Sequence, residues 1–198
     1  MRALITGAGG FVGRHLVREL ADAGYDILAT DIAETAGHGA YPERVAFSRL
    51  DLRDPDAIQA AVSDFAPDAL FHLAAQSSAA RSFEEPRETF ETNIFGTLNL
   101  LEAVRESMGE EPARFLSVGS CEEYGNREPE EMPLTERSRL DPVSPYAVSK
   151  AAQSMLALQY YSAYGIESMV TRSFSHTGPG QTARFVLPAF ARQCAEIK

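Results

Sequence analysis

Ala3-Leu4-Ile5 runs directly into Thr6-Gly7-Ala8-Gly9-Gly10-Phe11-Val12-Gly13. Val12, Leu16, Val17 and Leu20 then recur at helical spacing, and Gly24 ends the pattern. The run predicts a short buried strand over residues 2–6, a tight glycine turn and a helix. Each glycine has a separate use in such a turn. Gly7 permits the sharp bend, Gly10 lets a pyrophosphate approach the backbone, and Gly13 lets helix and strand pack closely. Free N–H groups at the helix start attract an anion. The spacing is GxxGxxG, not the common GxGxxG, so a glycine-rich turn without a ligand fits the same residues. Because Ala3-Leu4-Ile5 reads as a strand, it does not read as the core of a signal peptide.

Strand and helix patterns then alternate along the chain. A second strand over 25–31 ends in Asp31, eighteen residues past Gly13. A carboxylate there can accept from adenosine ribose hydroxyls and repel a 2′-phosphate, which favours NAD over NADP; a capping Asp is the other reading. The following loop holds Gly37-His38-Gly39, where His38 reads as an exposed side chain. A third strand over 45–50 leads to Asp51-Leu52. Asp54 and Pro55 suit the cap and first turn of a helix reaching about Phe65. A fourth strand over 69–73 ends in Ala74-Ala75-Gln76-Ser77, small enough for a flat cofactor or for close core packing. A long helix over 84–108 contains Asn93 and Gly96. A fifth strand over 115–118 ends in Gly119-Ser120-Cys121-Glu122-Glu123-Tyr124. Residues 125–143 are charged and proline-rich, a loop or a lid. A helix over 145–163 stops at Gly165, a sixth strand spans 168–172, and a last helix starts near Thr182. Six strands alternating with helices predict an α/β fold, a doubly wound parallel sheet of Rossmann type.

Length and charge narrow the functions. The 198 residues suffice for one full core, and the net charge of −10 argues against a nucleic-acid or anionic-membrane partner. No apolar run is long enough to cross a membrane. Cys121 and Cys194 lack metal-ligand spacing, so no metal is expected, and free thiols suit a cytoplasmic protein.

The chemistry centres on Ser144-Pro145-Tyr146-Ala147-Val148-Ser149-Lys150. Ser144 and Pro145 can start a helix, which puts Tyr146 and Lys150, four apart, on one face. A phenol near pKa 10 is a poor donor at neutral pH, and a neighbouring ammonium draws that value down. The pair is an acid/base device for carbonyl or alcohol chemistry. It also occurs on surface helices without function. The glycine turn, Ser120 and Tyr146, however, all fall at the C-terminal edge of the sheet, where open α/β sheets bind ligands.

Taken together, Thr6-Gly7-x-x-Gly10-x-x-Gly13, Asp51-Leu52, His72-Leu73-Ala74-Ala75-Gln76, Asn93, Ser120 and Tyr146-x-x-x-Lys150 resemble the extended short-chain dehydrogenase/reductases over nearly the whole chain. Gly119-Ser120-Cys121-Glu122-Glu123-Tyr124-Gly125 and Arg172-Ser173-Phe174-Ser175-His176-Thr177-Gly178-Pro179-Gly180-Gln181 are similar to the nucleotide-sugar branch, to GDP-6-deoxy-4-keto-mannose reductases and GDP-mannose 4,6-dehydratases. The resemblance implies that Tyr146 is the acid/base, Lys150 lowers its pKa and binds the nicotinamide ribose, and Ser120 bonds the reacting oxygen. It implies cofactor contacts from Gly7, Gly10, Phe11, Val12, Gly13, Asp31, Asp51, Leu52, Leu73, Ala74, Ala75, Gln76, Ser173 and His176. Substrate contacts would come from Ser77, Ser120 and Ser175. Glu122 stands where dehydratases carry their C5 acid/base. Ser175 stands where the group usually has Asn.

The resemblance implies NAD or NADP as cofactor, a GDP-sugar substrate, and a homodimer through helices 84–108 and 145–163. Met155, Leu156, Leu158, Tyr160 and Tyr161 offer a sticky face or core residues. Residues 1–172 are expected to form the dinucleotide-binding domain and 173–198 the start of a substrate-binding portion that relatives carry further. The chain therefore reads as part of a longer protein or as a truncated one. Three functions follow: reductase of a GDP-4-keto-6-deoxy sugar; GDP-mannose 4,6-dehydratase or another nucleotide-sugar epimerase/dehydratase; or, because the chain is truncated, dinucleotide binder without turnover.

Overall fold

The computed structural model of the chain describes residues 1–33, 42–107, 113–183 and 185–197, so the expectation for His38 lies outside the described residues. Six strands, β1 (Arg2–Thr6), β2 (Asp26–Asp31), β3 (Val45–Arg49), β4 (Ala69–His72), β5 (Arg114–Ser120) and β6 (Ser168–Ser173), form one parallel sheet in the order β3-β2-β1-β4-β5-β6. The helices are α1 (Phe11–Asp22), α2 (Pro55–Phe65), α3 (Ala79–Glu84), α4 (Pro86–Phe90), α5 (Gly96–Glu106), α6 (Pro145–Tyr164) and α7 (Val186–Glu196). The strand order runs outward from β1 to β3 and then returns to β4 on the other side. The switch point, where such sheets open a crevice, therefore lies between the C-terminal ends of β1 and β4.

Strand alternation feeds two cores. Leu4 points to one face with Ile58 and Val62 of α2, Leu100 and Leu101 of α5, and Ala157 and Tyr160 of α6. Ala3 and Ile5 point to the other with Val17 and Ala21 of α1. Each fully buried Leu or Ile contributes roughly 1.5–3 kcal/mol. The expected caps form: Asp54 accepts from the Ala57 N–H at 3.0 Å, and Ser144 accepts from the Ala147 N–H at 3.0 Å. Each such cap contributes about 1 kcal/mol.

The long helix expected over 84–108 starts earlier and is broken. Pro86 lacks an N–H and forces Glu85 out of the helical region, to φ −128° and ψ 64°, which ends α3 and begins α4. A π-helical turn, Glu91–Phe95, then joins α4 to α5. It turns Asn93 inward, where the side chain accepts from the Gln76 N–H (2.8 Å) and donates to the Gln76 carbonyl (3.1 Å) and the Ser149 hydroxyl (2.9 Å).

The last helix begins at Val186 and not near Thr182. Started at Thr182, it would place Pro188 in its interior; started at Val186, it keeps Pro188 in the first turn, where a missing N–H does no harm. The apolar residues of α6 divide. Leu156 and Tyr160 pack in the core, while Met155, Leu158 and Tyr161 are exposed. No helix among the described residues is long and apolar enough to cross a membrane.

Candidate active site

The glycine turn has the shape read for it at Gly7 and Gly13. Gly7 takes φ +73°, and a Cβ there would lie 2.7 Å from the Ala74 nitrogen, so the turn rests directly on the end of β4. A Cβ on Gly13 would lie 2.1 Å from the Gly7 carbonyl oxygen. Helix α1 can sit this close to β1 only because position 13 has no side chain. Gly10 starts α1 with no side-chain cap, so the first-turn N–H groups have no side-chain acceptor. Phe11 is half-buried. Val12 is 41% exposed and does not join the core stripe predicted for it; Gly13, Val17 and Ala21 do.

Asp31 ends β2 beside this turn. One carboxylate oxygen accepts from the Gly9 N–H at 3.0 Å and the other from the Ala33 N–H at 3.1 Å. The capping and ribose readings are thus both compatible with its position. Asp51 turns to Arg53 instead, with contacts of 3.0 and 2.6 Å that hold its carboxyl below the usual range. Leu52 is buried against Gly96. Leu73, Ala74 and Ala75 line the end of β4 and are half-buried. The Gln76 side chain is spent internally on Ser78 and Thr89, and Ser77 beside it is exposed.

Ser120 closes β5 and pairs in register with Ser173, the last residue of β6. Its hydroxyl accepts from the Glu122 N–H at 3.2 Å and starts a single 3-10 turn, Cys121–Tyr124. Tyr146, in the first turn of α6, is 9% exposed, as is Ser120. Glu122 is exposed at the mouth of a cleft of about 650 Å³, walled by Cys121, Arg127, Met132, Leu134 and Phe174. His176 stacks on Phe11 with ring centroids 6.2 Å apart, and His15 meets the Pro179 carbonyl at 2.9 Å. The 174–180 loop therefore lies over the start of α1. Ser175 in that loop is exposed. The glycine turn, the end of β4, Ser120 and Tyr146 all lie at the same C-terminal edge.

The expected pairing of Lys150 with Tyr146 needs correction. Lys150 is 3% exposed, and its Nζ donates to the Val118 carbonyl (2.8 Å) and the Gln153 side-chain oxygen (2.9 Å). Burial brings this amine down to about 8. The Tyr146 phenol moves up from its ordinary value, not down. Burial is the largest cause; the Ser120 hydroxyl opposes it, and Glu122 adds to it. Desolvation of the phenolate outweighs any help from an ammonium occupied elsewhere. Without ligand, Tyr146 is a protonated acid at neutral pH.

A buried polar network lies beneath the site. His72 is bonded on both sides, Nδ1 to the Thr6 hydroxyl at 2.8 Å and Nε2 to the Thr97 hydroxyl at 2.9 Å. Thr97 gives its one proton to the Asn93 carbonyl at 2.6 Å, so it must accept from His72 Nε2–H. Thr6 then donates to Nδ1, and this fixes the neutral tautomer. Burial first, and the Lys150 charge second, hold His72 down at about 3. Sequence reading did not single out this role, nor those of Gln153 and of Glu123 with Arg172. Their partners are 25 to 66 residues away in the chain, and no local pattern announces them.

The family model described as GDP-mannose 4,6 dehydratase matches residues 4–198. The GDP-6-deoxy-D-mannose reductase of Pseudomonas aeruginosa is 36% identical over 197 residues, covering 100% of this chain and 59% of that protein. Among solved structures, the dTDP-glucose 4,6-dehydratase DesIV of Streptomyces venezuelae, with NAD bound, superposes with a TM-score of 0.88 at 31% identity, over 99% of this chain and 62% of that one. RMD from Pseudomonas aeruginosa, complexed with NADPH, gives a TM-score of 0.79 at 34% identity, over 99% and 60%. The chain thus spans about three fifths of the length of these relatives.

Proposed function

Because the chain belongs to the GDP-mannose 4,6-dehydratase family of extended short-chain dehydrogenase/reductases, we infer that it is an NAD(P)-dependent oxidoreductase that reduces the 4-keto group of a GDP-linked 6-deoxy hexose. One observation carries the choice of reduction: the Tyr146 phenol, buried beside Ser120 at the C-terminal edge of the sheet, keeps its proton when no ligand is bound and so has one to give to a carbonyl oxygen. The reductase relative at 36% identity supports the same direction.

The residues present suit the cofactor. Gly7, Gly10 and Gly13 leave backbone open at the start of α1, where Phe11 and Val12 offer N–H groups to a pyrophosphate. Asp31 is suited to the adenosine ribose and favours NAD over NADP. Leu73, Ala74 and Ala75 give a flat approach at the end of β4, and Ser173 at the end of β6 and His176 over Phe11 are further candidate contacts. When bound, the nicotinamide supplies the hydride. Tyr146 Oη gives its proton to the carbonyl oxygen, and Ser120 Oγ donates a hydrogen bond to that same oxygen. Lys150 spends two of its three donors on Val118 and Gln153 and keeps one for the ribose or for Tyr146. The 650 Å³ cleft lined by Glu122 has the size of a small-molecule site and is the candidate place for the hexose; Ser77 and Ser175, both exposed and outside its lining, are further candidate substrate contacts. In this reading residues 1–172 are the dinucleotide-binding part and 173–198 begin the substrate-binding part.

The test is a fluorescence titration of the chain with NADH and NADPH, repeated with GDP and GDP-mannose, followed by NADH oxidation with the GDP-4-keto-6-deoxy sugar. Tighter binding of NADH and stoichiometric formation of the 4-hydroxy sugar are expected. A chain that binds NADH and GDP yet transfers no hydride to the keto sugar would sink the reductase reading. The second reading, a 4,6-dehydratase, is favoured by Glu122 at the cleft mouth. It requires GDP-mannose to yield a keto sugar with no net NADH consumed. Cofactor binding without GDP binding or turnover would leave a dinucleotide binder.

A homodimer through the helical region 84–108, which holds α4 and α5, and through α6 is part of the same proposal. Met155 is 57% exposed and Phe95 56%, and both are too apolar to favour water. Sedimentation velocity should give a dimer that Met155→Glu dissociates. A parent chain that is monomeric at every concentration rules the pairing out.

A further inference from the structure

Glu123 has no solvent exposure, although it follows the exposed Glu122 in the same 3-10 turn. Its Oε1 accepts from the Ser120 backbone N–H at 2.9 Å and from the Ser154 hydroxyl at 3.1 Å. Its Oε2 accepts from Arg172 Nε at 3.0 Å. A Cβ on Gly119 would lie 2.2 Å from Oε1, so the carboxylate is pressed against the backbone of β5 at a point only glycine allows. Arg172, level with Gly119 on β6, also lies over the Tyr124 ring at 5.3 Å and donates to the Glu136 carbonyl at 3.3 Å. The carboxylate thus joins the end of β5, helix α6 and strand β6.

Ser154 lies one turn beyond Lys150 on the same face of α6. Glu123 is therefore seated behind the buried amine. Of the titratable groups on the elements around Lys150, His72 feels its charge. His72 on β4 is neutral, Tyr146 on α6 is protonated, and Arg172 on β6 carries a positive charge already engaged by Glu123. Glu123 is the carboxylate among them, and it works to raise Lys150 against the burial that lowers it.

We propose that Glu123 is a positioning residue of the site: it pins the strand end that carries Ser120, and its charge keeps Lys150 in the ammonium form. This rests on the reading of Ser120, Tyr146 and Lys150 as the reacting set, but its test needs neither substrate nor cofactor. The sequence contains only two lysines, Lys150 and Lys198. With Lys198→Arg and isotope-labelled lysine, the one side-chain NMR signal belongs to Lys150, and its titration can be followed directly.

In that background Lys150 should titrate near 8. Glu123→Gln keeps acceptors for Ser120 and Ser154 but removes the charge, and should lower the midpoint by about one pH unit or more. Glu123→Asp should bring it most of the way back. Glu123→Met, of similar size and also without charge, is the second variant if Glu123→Gln does not fold, and its midpoint should fall likewise. A folded protein with either uncharged residue at position 123 and an unmoved midpoint would overturn the proposal. Failure of reductase activity would leave these titrations unaffected, so the two readings fail separately.

Discussion

Tyr146→Phe is expected to lower reduction of the keto sugar by about 10²- to 10⁴-fold, with NADH affinity changed by no more than about twofold. The phenol's ring is buried and its packing survives the substitution; only the hydroxyl and its proton are lost. Ser120 cannot take over, because an aliphatic hydroxyl is a far weaker acid. Lys150 cannot either, because its amine is turned to the Val118 carbonyl and the Gln153 side chain. Steady-state rates and an NADH titration on the same preparation separate the two effects. A Tyr146→Phe protein that keeps more than a tenth of the parent rate would remove Tyr146 from the chemistry. The pH dependence adds a second mark. The Lys150 ammonium exists below about 8 and is lost above it, so the parent rate should fall as pH rises through that value.

The second large effect is on stability in acid. His72 is held down at about 3 in the folded chain, against 6.5 for the free side chain. The unfolded state therefore binds the proton that the folded state refuses. The stabilisation due to neutral His72 is complete above about pH 6.5 and is lost progressively as pH falls toward 3. The loss amounts to about 1.4 kcal/mol for each pH unit, or several kcal/mol over the interval. A domain with roughly 5–15 kcal/mol to spare would lose much of its margin through this one imidazole. His72→Gln, which keeps polar atoms near Thr6 and Thr97 but cannot titrate, should be less stable than the parent at pH 7. It should also show a shallower decline below pH 6. Urea melts of both proteins between pH 7 and pH 4 measure the difference. Parallel declines would mean that His72 is not the group responsible, whereas carboxylates common to both proteins cancel in the comparison.

Much of the frame was legible because it depends on neighbours in sequence. Ala3-Leu4-Ile5 ahead of Gly7, Asp54 ahead of Pro55, and Ser144 ahead of Pro145 each specify a local conformation, and all three form as read. The alternation of strands and helices then leaves a parallel sheet as the simplest packing. Tyr146 and Lys150 could be put on one face because four residues make about one turn. What their side chains do there was not legible. Whether an ammonium or desolvation governs a phenol depends on how deeply it is buried and on where the amine is tied, and Val118 and Gln153 decide that here. Glu123 and Arg172 stand 49 residues apart, and nothing local pairs them until β5 and β6 bring them together. The break before Pro86 was available from the sequence, since proline disfavours helix at the residue before it. The π-helical turn was not, because one extra residue leaves the polarity pattern almost unchanged.

That turn makes the chain unusually sensitive to length at one place. Successive residues of an α-helix are about 100° apart around its axis. Deleting a single residue from Glu91–Phe95 would let α4 and α5 merge into one regular helix, locally a gain in backbone hydrogen bonding. It would also rotate everything on the N-terminal side by that angle relative to α5. Asn93 could no longer reach both Gln76 and Ser149, and the ends of β4 and α6 would lose their common tie. Among sequences descended from a common ancestor, substitutions within this segment should therefore be far commoner than gaps. A one-residue gap, where it occurs, should be accompanied by a different tie between β4 and α6.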